Sequence, residues 1–494
     1  MKLSFNRPGW DSSRPEVWKR WQLQRLKDYL TTRIIPFSDH YRRVCQENDF
    51  RPADLHELED WAHFPLTSKV DLTVPAEQMR EFILKPDVQK LKREWRTIRT
   101  ALLHGPAKAQ AMLEHEFRPI LLTSTTGRSS EPVPFVLTGH DIDNLNTTGR
   151  RIMECGGSEK DFRHLNCFPY APHLAFWQTH HASIGFGTFM ASTGGGKTLG
   201  TDGNLRMLQK IQPDIIIGMP TFIYHLLHEA VDRGIKVPGL KRIVLGGEKT
   251  AQGLRAKLRE LAQHMGAEPH VLSTYGFTEA KMAFPECTGP TGITPTGFHL
   301  SPDLGIVEII DPKTGELVPD GHRGEIIFTP LDARGTVVLR YRTGDIAEGG
   351  ITWERCPHCG RTCPRLLGPI SRVSEVRSMT LDKIKGTLVD FNVLEHLLDD
   401  QRGLAAWQIE LTKRNGDPLE VDEIHLHVCP EHGLEEAEVR KMIHRKFHEA
   451  TELSPNAIHF HRLEEMRDML GVGRLMKEEK LVDRRREVAS TQRI

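Results

Sequence analysis

"PDIIIGMPTFIYHLLHEAVDRGIKVPGLKRIVLGG", residues 213–247, holds two short apolar runs on either side of one helical stretch. "IIIG" and "RIVLGG" are rich in β-branched residues and close on glycine, as buried strands do, while "TFIYHLLHEAVDRG" spaces its apolar residues for a helix. Strand, helix, strand is the repeating unit of a parallel α/β sheet. The pattern continues outward through the helical "GLRAKLRELAQHMG" and the strand-like "PHVLSTYG" at 253–276. Ligands of such sheets collect at the carboxyl ends of strands, so the turns at Gly218, Gly246 with Gly247, and Gly276 are the first place to look for a site.

Away from this segment the character changes twice. Residues 15–45 have helical spacing at Trp18, Leu23, Leu26 and Leu30, interrupted by Pro36. "GIVEIID" and "GEIIFTP", at 305–311 and 324–330, read as a β-hairpin joined by a Gly- and Pro-rich turn. Past Pro369 come a helix ("FNVLEHLLDD"), a strand-turn-strand ("AAWQIELTKRNGDPLEVDEIHLHVC") and an amphipathic helix ("EEAEVRKMIHRKFHEATE"), the makings of a compact α+β module. A chain of 494 residues is too long for one core. The expected fold is therefore α/β: a large N-terminal region of several subdomains with partly parallel sheets, residues 1–370, and a small α+β domain, residues 371–494.

Lys plus Arg and Asp plus Glu each number 66, so no chain-wide field attracts nucleic acid or anionic membrane. No apolar run approaches the ~20 residues needed to span a bilayer. "MKLSFNRPGWDSSRPE" lacks the apolar core of a signal peptide, so the expectation is a soluble cytoplasmic protein acting on small molecules. A homodimer is compatible with these features. Eight cysteines are too sparse for a disulfide scaffold, and Cys45, Cys155, Cys167 and Cys429 read as reduced structural residues.

"ASTGGGKTLG" at 191–200 imitates a Walker A loop, but that loop needs its first glycine where Ala191 stands, so a glycine-rich turn between two elements is the better reading. "GFGTFM" likewise lacks the third glycine of a dinucleotide fingerprint at Met190. A better candidate is Thr123, Ser124, Thr125, Thr126, Gly127, Arg128, Ser129 and Ser130 after an apolar run. Its hydroxyls, backbone N–H groups and one cation suit a polyphosphate, or else form an ordinary Ser/Thr-rich surface loop. "STYGFTEAK", "LGGEK" and "LRYRTGDIA" add three strand ends carrying an aromatic, carboxylates, glycines and hydroxyls.

The ordered set "TSTTGRSSEP" (123–132), "GGEK" (246–249), "YGFTEA" (275–280) and "YRTGD" (341–345) resembles the adenylate-forming superfamily of acyl- and aryl-CoA synthetases. "FPLTSKVDL", "GMPTFIY", "EIIDPKTGELVPDGHRGEIIFTPL" and "CPHCGRTCPRLLG" are similar to its phenylacetate-CoA ligase branch, which includes adenylyltransferases acting on a deazaflavin coenzyme. The resemblance implies ATP-dependent conversion of an aryl or acyl carboxylic acid to its adenylate, then transfer to coenzyme A with release of AMP and pyrophosphate. Transfer of AMP to a deazaflavin-type cofactor, and a nucleotide-binding relative without catalysis, are the other two readings. It further implies that the loop Thr123 to Arg128 closes on the β and γ phosphates, that Tyr275 stacks on adenine, that Thr278 touches the α-phosphate and that Glu279 holds Mg²⁺. Gly246, Gly247 and Glu248 would border the adenine, while Asp345 and Arg372 would meet the ribose. From the residues alone, a packed aromatic, a helix cap, a solvated acid and a plain turn stay open for these positions. The chain departs from the family at Ser124, where glycine is usual, and in "GVGRLMKEEKLVDRR" (471–485), where the catalytic lysine position reads Arg474. The adenylation cation would then be Arg474, Lys477 or Lys480.

Cys356 and Cys359 in "ERCPHCGRTCPRL" have the Cys-x-x-Cys spacing that lets two thiolates share one ion. By resemblance to ligases with a structural zinc, Cys287 and His299 would complete the set, with Cys363 or His358 as substitutes and reduced loop cysteines as the alternative. "PYAPHLAFWQTHHASIGFG" (169–187) clusters three histidines with Phe176 and Trp177. It would form a core helix with capping histidines or line a pocket for a flat apolar acid.

Overall fold

The computed structural model describes residues 7–73, 78–125, 132–250, 252–290, 295–372, 382–384, 387–389, 391–399, 401, 403–414, 422–431, 433–451, 454–472 and 478–485. The opening helix α1 (Pro15–Tyr29) runs on through a wider turn to Phe37, and Ser38 then caps a second helix, Asp39–Glu47. Its apolar residues pack on the segment 331–341, and Trp61 donates from Nε1 to Thr329 at 3.0 Å, so the N-terminal helices buttress the later strands.

The stretch 213–247 folds as read. After the antiparallel pair β1 (Pro119–Ser124) and β2 (Pro134–Thr138), the chain builds a six-stranded sheet. It runs through helix α2 (Gly139–Cys155), β3 (Arg163–Pro169), α3 (Leu174–Phe186), β4 (Phe189–Gly194), α4 (Gly195–Ile211) and β5 (Ile215–Gly218). Helix α5 (Pro220–Asp232), β6 (Arg242–Gly246), α6 (Gln252–His264), β7 (His270–Phe277) and β8 (Met282–Pro285) complete it. The spatial order is β4-β3-β5-β6-β7-β8, parallel except for the β7–β8 pair. Alternation along a strand explains why so many of its positions are apolar. Ile216, Ile243 and Leu245 enter the core under α4, α5 and α6, whereas Ile215, Ile217 and Val244 cluster with Phe162 and Phe168 on the other face, where α2 and α3 lie. From β3 the chain moves outward to β4 and then returns to β5 on the opposite side, so the sheet's topological switch point lies between β3 and β5.

The glycine-rich stretch 191–200 is the turn from β4 into α4. Gly194 and Gly195 there have φ of +71° and +67°, which a side-chain-bearing residue adopts at a cost. β9 (Phe298–His299) follows, then a four-stranded antiparallel sheet of β10 (Gly305–Ile310), β11 (Gly324–Pro330), β12 (Tyr341–Ala347) and β15 (Ile370–Arg372). The short strands β13 (Ile351–Thr352) and β14 (Arg365–Leu366) join β9 in a third sheet. Beyond residue 371, β16 (Asp382–Ile384) pairs with β17 (Thr387–Val389). A further sheet, in the order β20-β19-β18-β21, uses β18 (Leu404–Lys413), β19 (Asp422–Pro430), β20 (Ala457–Phe460) and β21 (Leu481–Asp483). With helices α7 (Phe391–Asp399) and α8 (Glu436–Thr451) this sheet encloses its own core, built on Leu394, Ile409, Leu426, Val439 and Phe447. No helix among the described residues is long and apolar enough to cross a membrane.

Candidate active site

A cavity of about 760 Å³ lies on the α2/α3 face of the six-stranded sheet and opens at the strand ends. Its deep part is apolar, walled by Met153, Leu174, Phe176, Ile215, Ile217 and Val244. The switch point forms part of the wall through Phe168 and Pro169 after β3 and Met219 after β5. The histidine-rich stretch around 170–188 is α3, and it lines this cavity with His173, Phe176, Gln178, Thr179 and Ala182. Sequence reasoning held core helix and pocket wall as alternatives, and α3 serves as the wall on one face while Gln178 and Ala182 are also buried.

Towards the mouth the lining becomes polar: Thr125, Gly246, Gly247, Thr278, Glu279, Arg342 and Arg372. Gly246 passes so close to β7 that a Cβ would meet Thr274 Oγ1 at 2.5 Å, and Gly247 has φ of +85°, so the turn hugs the opening without a side chain in the way. Glu248 turns aside, accepting from the hydroxyl of Thr221 at 2.8 Å at the start of α5, and does not line the cavity. Thr123 in β1 is fully buried and its Oγ1 has no hydrogen-bond partner among the described residues, while Thr125, just past β1, lines the cavity and accepts from the N–H of Val133 at 2.9 Å. The carbonyl of Ser124 accepts from Nδ1 of His173 at 2.9 Å and from the Thr278 hydroxyl at 3.4 Å, tying the loop's first residues to the end of β7. Thr126, Gly127 and Arg128 lie outside the described residues, as do Arg474 and Lys477.

Two acid–tyrosine pairs organise the mouth. Tyr341 donates to Oε1 of Glu279 at 2.7 Å, and burial pushes the Glu279 carboxyl above the usual carboxylate range against that hydrogen bond. Tyr275 donates to Oδ2 of Asp345 at 2.8 Å, and burial together with that carboxylate raises its hydroxyl well above the ordinary tyrosine value. β12 and β15 place Asp345 opposite Arg372, whose Nε donates to Oδ1 at 3.0 Å. Tyr275 and Asp345 thus sit just behind the lining glycines Gly276 and Gly344. Tyr341, Lys69 and the walls Met153, Ile215, Ile217 and Val244 were missed from sequence. Tyr341 begins a quoted motif and Lys69 stands in "FPLTSKVDL", so their neighbours were the available signal.

Lys480 lies elsewhere. Its ammonium bonds Asp399 at 2.5 Å and sits 4.8 Å from the Trp407 ring centroid, inside the C-terminal module.

Cys287, His299, Cys356 and Cys359 converge, with one ligand atom from each lying within 4.8 Å of all the others. The pairing of β14 with β9 brings the cysteine turn beside His299. Cys287 and Cys356 are 3.7 Å apart at sulfur, against ~3.8 Å for two thiolates bound ~2.3 Å from a tetrahedral ion. Cys359 Sγ lies 3.2 Å from Nε2 of His299. Hydrogen bonding from the Cys287 thiol holds Cys356 and Cys359 below the ordinary thiol range and pushes Cys287 above it. Burial opposes a charge on His299, but its bonds to those two sulfurs win and raise it. Three sulfurs and one imidazole fit a closed zinc site.

A family profile described as AMP-binding enzyme matches residues 141–330. The chain is 27% identical over 415 residues to a phenylacetate-coenzyme A ligase of Pseudomonas putida, covering 83% of this chain and 79% of that one. It is 26% identical to a phenylacetate-coenzyme A ligase of Thermus thermophilus, covering 71% and 68%. A crystal structure of 2-hydroxyisobutyryl-CoA ligase in the postadenylation state superposes with a TM-score of 0.75 at 17% identity, covering 99% of this chain and 96% of that one, and shows the shared fold.

Proposed function

Because the chain is a phenylacetate-CoA ligase-like member of the adenylate-forming superfamily, we propose that it activates an aryl or acyl carboxylic acid with ATP and passes the acyl group to coenzyme A. The observation that carries this reading is one continuous cavity whose apolar depth at the switch point opens onto Thr278, Glu279 and Arg372. An apolar acid would enter the deep part with its carboxylate towards the mouth, in reach of an α-phosphate beside Thr278. The carboxylate oxygen attacks the α-phosphorus in line, the bond to the β-phosphate oxygen breaks and pyrophosphate leaves. The thiol of coenzyme A then attacks the acyl carbon and AMP departs.

The chain's residues divide this work. Asp345, held by Tyr275 and Arg372, offers acceptor oxygens for ribose hydroxyls, and Gly246 with Gly247 leaves a flat border for adenine. Thr123, Ser124, Thr125 and the loop up to Arg128 would meet the β and γ phosphates. Glu279 fits a Mg²⁺ ligand, because a carboxylate disfavoured by burial regains its charge beside a cation; the ion supplies neutralisation of phosphate charge. Lys69 adds a cavity cation with no carboxylate partner among the described residues. Cys287, His299, Cys356 and Cys359 would hold a structural Zn²⁺, pinning the loop after β8 to the turn before β14. Residues 371–494 would move as a domain between the half-reactions, in a cytoplasmic enzyme. Acid-dependent pyrophosphate release from ATP tests the first half-reaction, and thiol-dependent AMP formation tests the second.

A further inference from the structure

The C-terminal sheet carries four histidines that the proposed reaction leaves unused. β19 and β20 run parallel with His427 opposite His459, and strand alternation puts His425, His427 and His459 on one side. Leu426, Val428 and Ile458 occupy the other side, in the core with α7 and α8. His461 follows β20 directly. The four imidazoles form a zigzag stack, with ring centroids 5.3 Å apart for His425 and His459, 4.8 Å for His459 and His427, and 5.1 Å for His427 and His461.

Their nitrogens meet in pairs across the two strands. Nδ1 of His427 lies 2.9 Å from Nε2 of His461, and Nδ1 of His425 lies 3.2 Å from Nε2 of His459. Carboxylates stand behind them: Glu410 is 3.0 Å from Nε2 of His427, Glu423 is 3.3 Å from Nε2 of His425, and Glu465 is 3.8 Å from Nδ1 of His461. An ionised carboxylate only accepts, so Glu410 and Glu423 fix the N–H on Nε2 and leave the Nδ1 lone pairs pointing across the strand gap. An imidazole whose outer nitrogen is held by a carboxylate while its inner nitrogen faces a second imidazole, as His427 is between Glu410 and His461, is built as a metal ligand is.

We propose that this histidine ladder is a site for a divalent late transition-metal ion, with Nδ1 of His427 and Nε2 of His461 as its ligands and water completing the shell. Two imidazole nitrogens ~2.0–2.1 Å from one tetrahedral ion lie ~3.3 Å apart, so side-chain rotations and a shift of the His461 hydrogen from Nε2 to Nδ1, on the Glu465 side, open the observed pair to the ion. A shared proton is the competing occupant. Among the described residues, Arg484 on Glu410, Arg414 on Glu423, Arg462 on Glu465 and Arg440 near His459 are further charges facing the cluster. Imidazole favours Zn²⁺, Ni²⁺ and Cu²⁺ over Mg²⁺ or Ca²⁺, which defines the class of ion.

The test is a calorimetric titration of the full-length chain with Ni²⁺, after loading Zn²⁺ at the cysteine cluster and removing the excess. The wild type, His427→Gln and His461→Gln are compared at pH 7.5 and 5.5, with circular dichroism and retained zinc content as controls on folding. The expected result is one Ni²⁺ equivalent in the wild type, at least tenfold weaker binding in each variant, and loss at pH 5.5 as protons replace the ion. Equal binding by wild type and folded variants, or no binding by the wild type at pH 7.5, overturns the proposal. If either glutamine variant does not fold, His461→Asn provides the same comparison at a residue beyond the strand.

Discussion

The hydroxyl of Tyr275 donates to Oδ2 of Asp345 at 2.8 Å, while Arg372 holds the second oxygen of the same carboxylate at 3.0 Å. The ring expected to stack on adenine and the acid expected to accept the ribose are therefore one bonded unit. Asp345→Asn removes the charge from that unit and with it the carboxylate to which Arg372 donates. Hydrogen bonds to charged groups contribute ~1.5–3 kcal/mol, so kcat/KM for ATP should fall roughly 10- to 100-fold in initial-rate measurements. Tyr275→Phe keeps the ring and should cost less than about 10-fold.

Glu279 titrates above the usual carboxylate range because it is buried, with Tyr341 as its hydrogen-bond donor. Its charged form is lost on acidification earlier than that of an exposed glutamate. The pH–rate profile of pyrophosphate release should therefore show an acid limb lying above the ordinary glutamate pKa, and raising Mg²⁺ should move that limb to lower pH. Glu279→Gln should abolish this Mg²⁺-dependent shift and slow adenylation by roughly 10²- to 10³-fold.

Lys69 lines the cavity, whereas Lys480 is bound to Asp399 beside Trp407. The two lysines should respond differently to alanine. Lys69→Ala should slow acid-dependent pyrophosphate release by at least about tenfold with an unchanged melting temperature. Lys480→Ala removes the ammonium from Asp399, which keeps the Trp407 Nε1–H donor at 2.9 Å, and should destabilise the chain by about 1–3 kcal/mol, read by denaturant unfolding.

Stripping metal from the Cys287, His299, Cys356 and Cys359 set should release one zinc per chain and lower the melting temperature by several degrees. Cys356→Ser should reproduce both effects, whereas Cys45→Ser should change neither zinc content nor the response to chelator.

The sequence exposed the parallel sheet because strands covered on both faces must be apolar at nearly every position, as "IIIG" and "RIVLG" are. It marked Thr278, Glu279 and Asp345 as polar groups at strand ends near glycine; Thr278 and Glu279 line the cavity, while Asp345 follows the lining Gly344. It could not separate Ile217, which faces the cavity, from Ile216, which enters the core, since both environments select the same side chain. The bond from Tyr341 to Glu279 and that from Lys480 to Asp399 join residues 62 and 81 positions apart. Such pairings follow from strand register and module packing, which local pattern does not encode. The four C-terminal histidines were hidden for the same reason: "HLH" and "HFH" become neighbours only once β19 and β20 pair.

The central claim is that one cavity holds both an apolar acid and the reacting end of ATP. Its most direct test is acid-dependent exchange of labelled pyrophosphate into ATP, run over a panel of aryl and acyl acids with Mg²⁺ and repeated with coenzyme A as a single-turnover thioester assay. The account predicts exchange with an apolar acid, sharply reduced in Asp345→Asn, and a thioester formed only when coenzyme A is present. Folded, ATP-binding protein that exchanges with no acid in the panel would contradict it.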